Sequence, residues 1–249
     1  PEYDPENWLV DPEWLKSWFD GIKEGDQLQI RDSFSLHGIL PYHLSRTYDQ
    51  LINAFRQRNE SRILRLSSEL GHYLGDAHVP LHTTENYNGQ LTNQYGIHAF
   101  WESRIPELFA EEEFDFVVGR AVFIPNVRQF IWQIIKDSHA CVARVLEEEK
   151  RLTFEMPLSS LYCYEDRNGV VTRLACPDFA RKYHDRLDAQ VELRMRTCIL
   201  NLGSFWMSAW IEAGQPELDD LDLSKGMDLE AQSDTVNLAP LKFQIRPHE

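Results

Sequence analysis

Residues 69 to 102, ELGHYLGDAHVPLHTTENYNGQLTNQYGIHAFWE, constrain this chain more than any other stretch. They hold His72, His78, His82 and His98, four of the nine histidines, together with Asp76 and Glu102. His72 and Asp76 are four residues apart, as are His78 and His82, and His98 and Glu102. On a helix, side chains four apart share a face, so each pair can aim its donor atoms at one ion. Mixed imidazole and carboxylate donors suit zinc and similar borderline cations. One such histidine alone reads as a capped or core-satisfied side chain, whereas six groups in this register point to a metal site. Pro80 adds a second constraint. It cannot continue a helix, so His82 lies beyond the break and can turn toward a different ion from His72.

The flanking pattern predicts a mainly α-helical domain with one short β-hairpin. Pro41 suits a first helical turn, and Leu44, Tyr48, Leu51, Ile52 and Phe55 follow at core spacing to about Arg58. His43 falls in that first turn and gains interest only from the ligand-rich stretch nearby. Asn59 or Ser61 starts the next helix, with Ile63, Leu66, Leu70, Tyr73, Leu74 and Ala77 as its apolar face and Glu69 one turn before His72 and Asp76. Gly71 and Gly75 weaken this helix by up to about 1 kcal/mol each, for which close approach of another backbone or of the metal site is the expected reason. Thr83 to Gly96 reads as a polar loop. A loop between ligand-bearing helices is placed to contact substrate, and Asn86 and Asn88 are its candidates. A helix is expected from His98 to about Phe109, kinked or broken at Pro106, with His98 and Glu102 inward and Arg104 outward.

Beyond this stretch, one long helix is expected from Pro125 to Lys150, with Glu147, Glu148 and Glu149 as a solvated face and His139 structural. Arg167-Asn168-Gly169 is a turn signal between short apolar runs. Cys163 and Cys176 bracket that hairpin and are the first pair to test among the three pairings four cysteines allow; four buried thiols are the equal alternative. Another long helix is expected from Pro177 to about Ala213, with Leu187, Val191, Met195, Ile199, Leu202, Trp206 and Trp210 on its apolar side. At the start, Trp8, Trp14 and Trp18 recur at helical intervals between Pro12 and Gly25. His37 reads as structural, and the acidic tail from Leu218 is expected to wrap the surface.

The order of ligands resembles the zinc-dependent phospholipase C and single-strand nuclease superfamily. GHYLGDAHVPLH, a polar loop, then GIHAFWES match that family's His, Asp, His, His and acidic residue at His72, Asp76, His82, His98 and Glu102. The likeness extends more loosely from about Gly38 to Pro216. It implies a single domain over residues 1 to 249, two or three zinc ions, and a secreted or periplasmic location. It also implies that His72 and Asp76 bind one zinc, that Asp76 bridges to a second and is the residue on which catalysis turns, and that His82, His98 and Glu102 hold the third. His43 matches a further family ligand. The start, PEYDPENW, has neither the N-terminal Trp nor the nearby His of the family, and the spacing of its upstream Asp falls on Leu28 and Gln29, beside Asp26 and Asp32. An upstream segment removed or left out is the expected explanation.

Composition narrows the substrate. Forty acidic against 25 basic residues give a net charge of −15, which argues against tight binding along duplex DNA but leaves a nuclease open, since zinc supplies local positive charge. At 43% hydrophobic content the chain can bury a sizeable core. No apolar run approaches the roughly 20 residues of a membrane span, and no signal peptide is visible in the given chain. His184-Asp185 is an HD dipeptide without evident partners, Glu69 to His72 is a lone E-x-x-H, and the motifs of zinc proteases, P-loop proteins and α/β-hydrolases are absent. The ranking is nuclease or nucleotidase on single-stranded nucleic acid, with Tyr87, Tyr95 and Phe100 as stacking candidates, then phospholipase C, then a zinc-binding protein without catalysis.

Overall fold

A computed structural model of the chain describes residues 38–219 and 221. The expected helix around Trp14, the alternatives Asp26 and Asp32, His37 and most of the acidic tail lie outside the described residues, as does the start of the expected single domain. Described elements from Pro41 onward belong to one compact unit. They are mainly α-helical with one two-stranded hairpin. No helix among the described residues is long and apolar enough to cross a membrane.

Helix α1 (Leu40–Arg56) precedes α2 (Glu60–His78), the helix that carries His72 and Asp76. Asn59 caps α2, its side chain accepting from the Arg62 amide at 3.0 Å. Leu66, Leu70, Leu74 and Ala77 bury one face against α5 and α8, defined below, each large side chain contributing roughly 1.5–3 kcal/mol. The chain leaves the helix at Val79, and Pro80–Thr83 forms a short 3-10 turn. Neither glycine of α2 meets another backbone. A Cβ at Gly71 would touch only the Leu202 side chain at 3.4 Å, and one at Gly75 would meet nothing within 4 Å.

After the loop, α3 (Ile97–Ala99) runs into a π-helical turn (Phe100–Arg104) and then α4 (Ile105–Glu113). Pro106 therefore opens α4 rather than breaking a helix, and the irregularity comes before it. The wider turn buries Phe100, Trp101, Arg104 and Ile105 together. Arg104 thus points inward, contrary to expectation, because a partner awaits it: its Nε donates to the Ala175 carbonyl at 3.1 Å and its guanidinium pairs with Glu165.

Two long expected helices are each broken. α5 (Val127–Ala140) and α6 (Val142–Glu155) part at Cys141. α7 (Pro177–Arg186) and α8 (Gln190–Glu212) part at Leu187–Ala189, where Asp188 and Ala189 take φ of 55° and 57°. The buried face of α8 is also more polar than its apolar stripe implied, with Asn201, Ser204 and Ser208 inside and Ile199 and Trp206 partly outside. The hairpin pairs β1 (Tyr162–Arg167) antiparallel with β2 (Val170–Ala175) across Asn168-Gly169, both at positive φ as a tight two-residue turn requires. Cys163 and Cys176 are disulfide-bonded, and Cys141 and Cys198 are free thiols. One continuous core joins Val79, Leu81, Ile97, Trp101 and Ile105 to Val145, Leu152, Phe179, Tyr183 and Val191.

Candidate metal centre

That core lies directly beneath three expected ligands. His82 follows Leu81, His98 follows Ile97 and Glu102 follows Trp101, and each preceding residue is buried in the core. The donor atoms of the three converge within 4.8 Å of one another. His82 Nε2 stands 3.2 Å from His98 Nε2 and 3.4 Å from Glu102 Oε2. His98 Nε2 stands 2.6 Å from Glu102 Oε2. Donors bonded at about 2.0–2.1 Å to one tetrahedral ion are separated by roughly 3.3–3.4 Å. Two sides of this triangle fit that spacing, and the third has to open by roughly 0.7 Å.

Orientation favours an ion as well. The Nδ1 of His98 lies 3.1 Å from the Tyr87 carbonyl. A carbonyl only accepts, so Nδ1 carries the proton and Nε2 offers its lone pair to the triad. A ring held from behind in this way is the usual arrangement of a metal-binding histidine. The π turn contributes too, since π turns often mark functional sites and this one keeps Glu102 beside His98. Without an ion, the doubly protonated rings of His82 and then His98 donate to Glu102 and pull its carboxyl down to about 2; an ion takes the place of those Nε2 protons. At His82, burial opposes the charged form, but the Glu102 hydrogen bond and the charges of Asp76 and Glu102 outweigh it and raise the pKa. The His98 side chain is 18% exposed, against 31% for His82 and 37% for Glu102. The triad is therefore anchored at its deepest member and open to solvent on the other side, as three-ligand sites that admit water or substrate are.

The remaining expected ligands are arranged differently. His72 Nε2 is 3.7 Å from Asp76 Oδ2, and the His72 side chain is 70% exposed. The charge of Asp76, six residues before His82 in the chain, contributes to raising the His82 pKa. His43 turns elsewhere: its Nε2 meets Glu69 Oε1 at 3.0 Å and Thr47 Oγ1 at 3.4 Å. Its ring lies edge-on to Tyr73, which lies edge-on to His72. Among the described residues no other three His, Cys, Asp or Glu side chains converge as the triad does.

The asparagine side chains of the loop bond within it. Asn86 is buried, its Nδ2 donating to Thr92 Oγ1 at 2.9 Å and its Oδ1 accepting from the Leu91 amide at 2.8 Å. Asn88 Oδ1 accepts from the Gly96 amide at 3.0 Å. Both expected substrate contacts thus shape the segment that carries Tyr87. Phe100 is likewise committed, packed on Phe179 and Tyr183, while Tyr95 is exposed. His184 of the HD dipeptide is buried against Phe109 and Phe114. Sequence reading missed the Tyr87 carbonyl, because backbone acceptors leave no residue signature.

His78 and Arg194 fix the junction between pair and triad. His78 Nδ1 donates to the Leu74 carbonyl at 2.7 Å, and its Nε2 accepts from Asn201 Nδ2 at 3.0 Å. Arg194 Nε donates to the His78 carbonyl at 3.0 Å, and Ser138 Oγ donates to the Ala77 carbonyl. The last carbonyls of α2, which no helical amide reaches, are thus satisfied from α5 and α8. Comparison with family models, curated proteins and solved structures finds no match to this chain.

Proposed function

We propose that this protein is a zinc-dependent phosphodiester hydrolase acting on single-stranded nucleic acid or nucleotides. The observation that carries the reading is the convergence of His82, His98 and Glu102, whose donor types suit zinc and two of whose three donor spacings match it. When bound, zinc supplies Lewis acidity, polarising phosphoryl oxygens and lowering the pKa of a water. The Tyr87 carbonyl holds His98 in its ligating tautomer. Asp76 and His72 would hold a further ion beside the triad, and His43 joins them only by giving up Glu69. Tyr95, exposed two residues before Ile97, and Tyr87, edge-on to His98, supply faces for base stacking. The Cys163–Cys176 disulfide supports a secreted or periplasmic location.

Two observations keep other readings in view. Leu91 exposes apolar surface on the same loop, as a phospholipase C rim would. The bond between His43 and Glu69 favours a zinc protein with fewer ions and no catalysis. Elemental analysis of purified protein, paired with release assays on single-stranded DNA, RNA and phosphatidylcholine with and without chelator, separates the three. The expected result is bound zinc, reduced by about one ion in His98→Ala, with chelator-sensitive release of nucleotides. Release of diacylglycerol alone favours the phospholipase, and zinc without turnover favours the binding protein. Unchanged zinc in His98→Ala would overturn the triad assignment.

A further inference from the structure

We infer that Glu149, a buried carboxylate of α6, is a positioning residue for the metal centre, acting through Gln94 on the loop that sets the Tyr87 carbonyl behind His98. The inference rests on the reading of His98 as a metal ligand. Glu149 belongs to a run of three glutamates that the sequence assigned to solvent, yet it is only 6% exposed. A buried carboxylate persists only when hydrogen-bonded, and Glu149 has two partners. Thr153 Oγ1, one turn on, donates to its Oε1 at 3.0 Å. Gln94 Nε2, 55 residues earlier in the chain, donates to its Oε2.

Gln94 is fixed by what α6 offers it. Its Nε2 also donates to the Leu146 carbonyl at 2.8 Å, so both contacts on α6 are acceptors and the amide nitrogen has to face them. Its Oε1 is left buried without a hydrogen-bond partner. An unpaired buried acceptor is costly, which shows that the two donor bonds decide how Gln94 sits.

The Gln94 backbone then organises both sides of the site. Its amide donates to the Gly89 carbonyl at 2.9 Å, and its own carbonyl accepts from the Ile97 amide at 3.2 Å. Gly89 has φ of +73°, and a Cβ there would lie 2.2 Å from the Gln94 carbonyl oxygen, so the loop folds back closely over Gln94. Tyr87 lies in that folded turn. Gly96, two residues after Gln94, receives the Asn88 side chain on its amide and accepts the Phe100 amide on its carbonyl, starting the helical turn of His98. Two polar contacts to α6, of which Glu149 makes one, therefore set the carbonyl behind His98 and the helical start beneath it. Partners that orient a ligand from behind are worth 10- to 100-fold in metal affinity.

The test measures zinc affinity, the absorption bands of Co²⁺ bound in place of zinc, and Tm on the full chain. Variants are Glu149→Ala, Glu149→Gln and Gln94→Ala, with Tyr183→Phe as control. That control removes a buried hydrogen bond from Tyr183 to the Val145 carbonyl of α6 without touching the loop. Expected are a roughly 10- to 100-fold loss of zinc affinity and shifted cobalt bands in both alanine variants, with recovery in Glu149→Gln, which still accepts from Gln94. Tyr183→Phe lowers Tm but leaves affinity unchanged. If Glu149→Ala fails to fold, Gln94→Ala reads the same link from the loop side. Wild-type affinity in the alanine variants, or an equal loss in Tyr183→Phe, overturns the positioning role. A wild-type chain that takes up no zinc overturns the metal reading itself, and this role with it.

Discussion

Two sets of ligand-type side chains are held in different ways. His82, His98 and Glu102 each extend from a residue locked in the core, and their donor atoms meet. On α2, His72 is exposed and Asp76 half-buried, and only two donors face each other. Helical spacing explains the difference. It brings a pair together, since residues four apart share a face, but one helix cannot supply a converging third. The triad gains its third donor from the chain break at Pro80, which carries His82 across to the next helix. The assembled set is prepared by packing, whereas in the pair no third donor converges.

Asp76→Asn tests that contrast with the largest effect. Asn keeps the shape of the side chain but removes its charge and one ligating oxygen. If the open pair completes the catalytic site, turnover of the best substrate falls by about 10²-fold or more. On the zinc reading, the metal content of the triad should not fall, because none of its three donors changes, and the apolar face of α2 is untouched. Kinetics together with zinc content measures both. Near-normal turnover would show that the triad works alone and that Asp76 bridges nothing.

Legibility in the sequence divides along the same line. The ends of α2 and the Asn-Gly turn were readable because each rests on a local rule: a cap, a proline, a left-handed turn. Spacing paired His98 with Glu102, but it also paired His82 with His78, which is bonded elsewhere; only the family resemblance grouped His82 with His98 and Glu102. The breaks at Cys141 and at Leu187–Ala189 were not readable, since apolar periodicity runs through both and no proline or glycine marks them. Ala189 adopts a left-handed conformation without glycine's freedom, in a turn closed by the Asp188 amide on the Asp185 carbonyl and the Gln190 amide on the Leu187 carbonyl. Arg104 and Glu149 were misplaced for a related reason. Charged side chains read as solvated until a partner far along the chain is known, here Glu165 for Arg104 and Gln94 for Glu149. Of the two reasons expected for Gly71 and Gly75, close approach of another backbone or of the metal site, the first fails, because a lone helical glycine does not say what faces it.

Acid should loosen the junction of the two regions through His78. Burial pushes its pKa down to about 4, despite the hydrogen bond to Leu74. The unfolded chain therefore binds the proton more readily between the ordinary value near 6.5 and the folded one, so stability falls as pH falls through that window. Lowering pH from about 7 to 5 should cost roughly 2 kcal/mol from this group. Urea unfolding at both pH values measures the loss. His78→Gln, which offers an amide donor to Leu74 and an acceptor to Asn201 but does not titrate here, should flatten it. An equally steep loss in that variant would assign the acid sensitivity to other groups.

The smallest effect separates the two regions by their glycines. Gly89, on the triad side, has left-handed φ and no room for a Cβ, so Gly89→Ala is expected to disrupt the loop. Gly75, between His72 and Asp76, is helical with nothing within 4 Å of where a Cβ would sit. Gly75→Ala should therefore stabilise α2 by about 0.5–1 kcal/mol, through reduced freedom in the unfolded chain and better helix propensity. That corresponds to a Tm rise of up to about 2–4 °C for a chain of this size. Zinc at the triad should not change, because Gly75 touches none of its members. If the open face of α2 is where further ions and substrate sit, the added methyl group lies in their way, and the more stable variant should also turn over more slowly. A variant with higher Tm and full activity would mean that substrate does not cross α2 at Gly75, leaving the triad and its loop to carry binding.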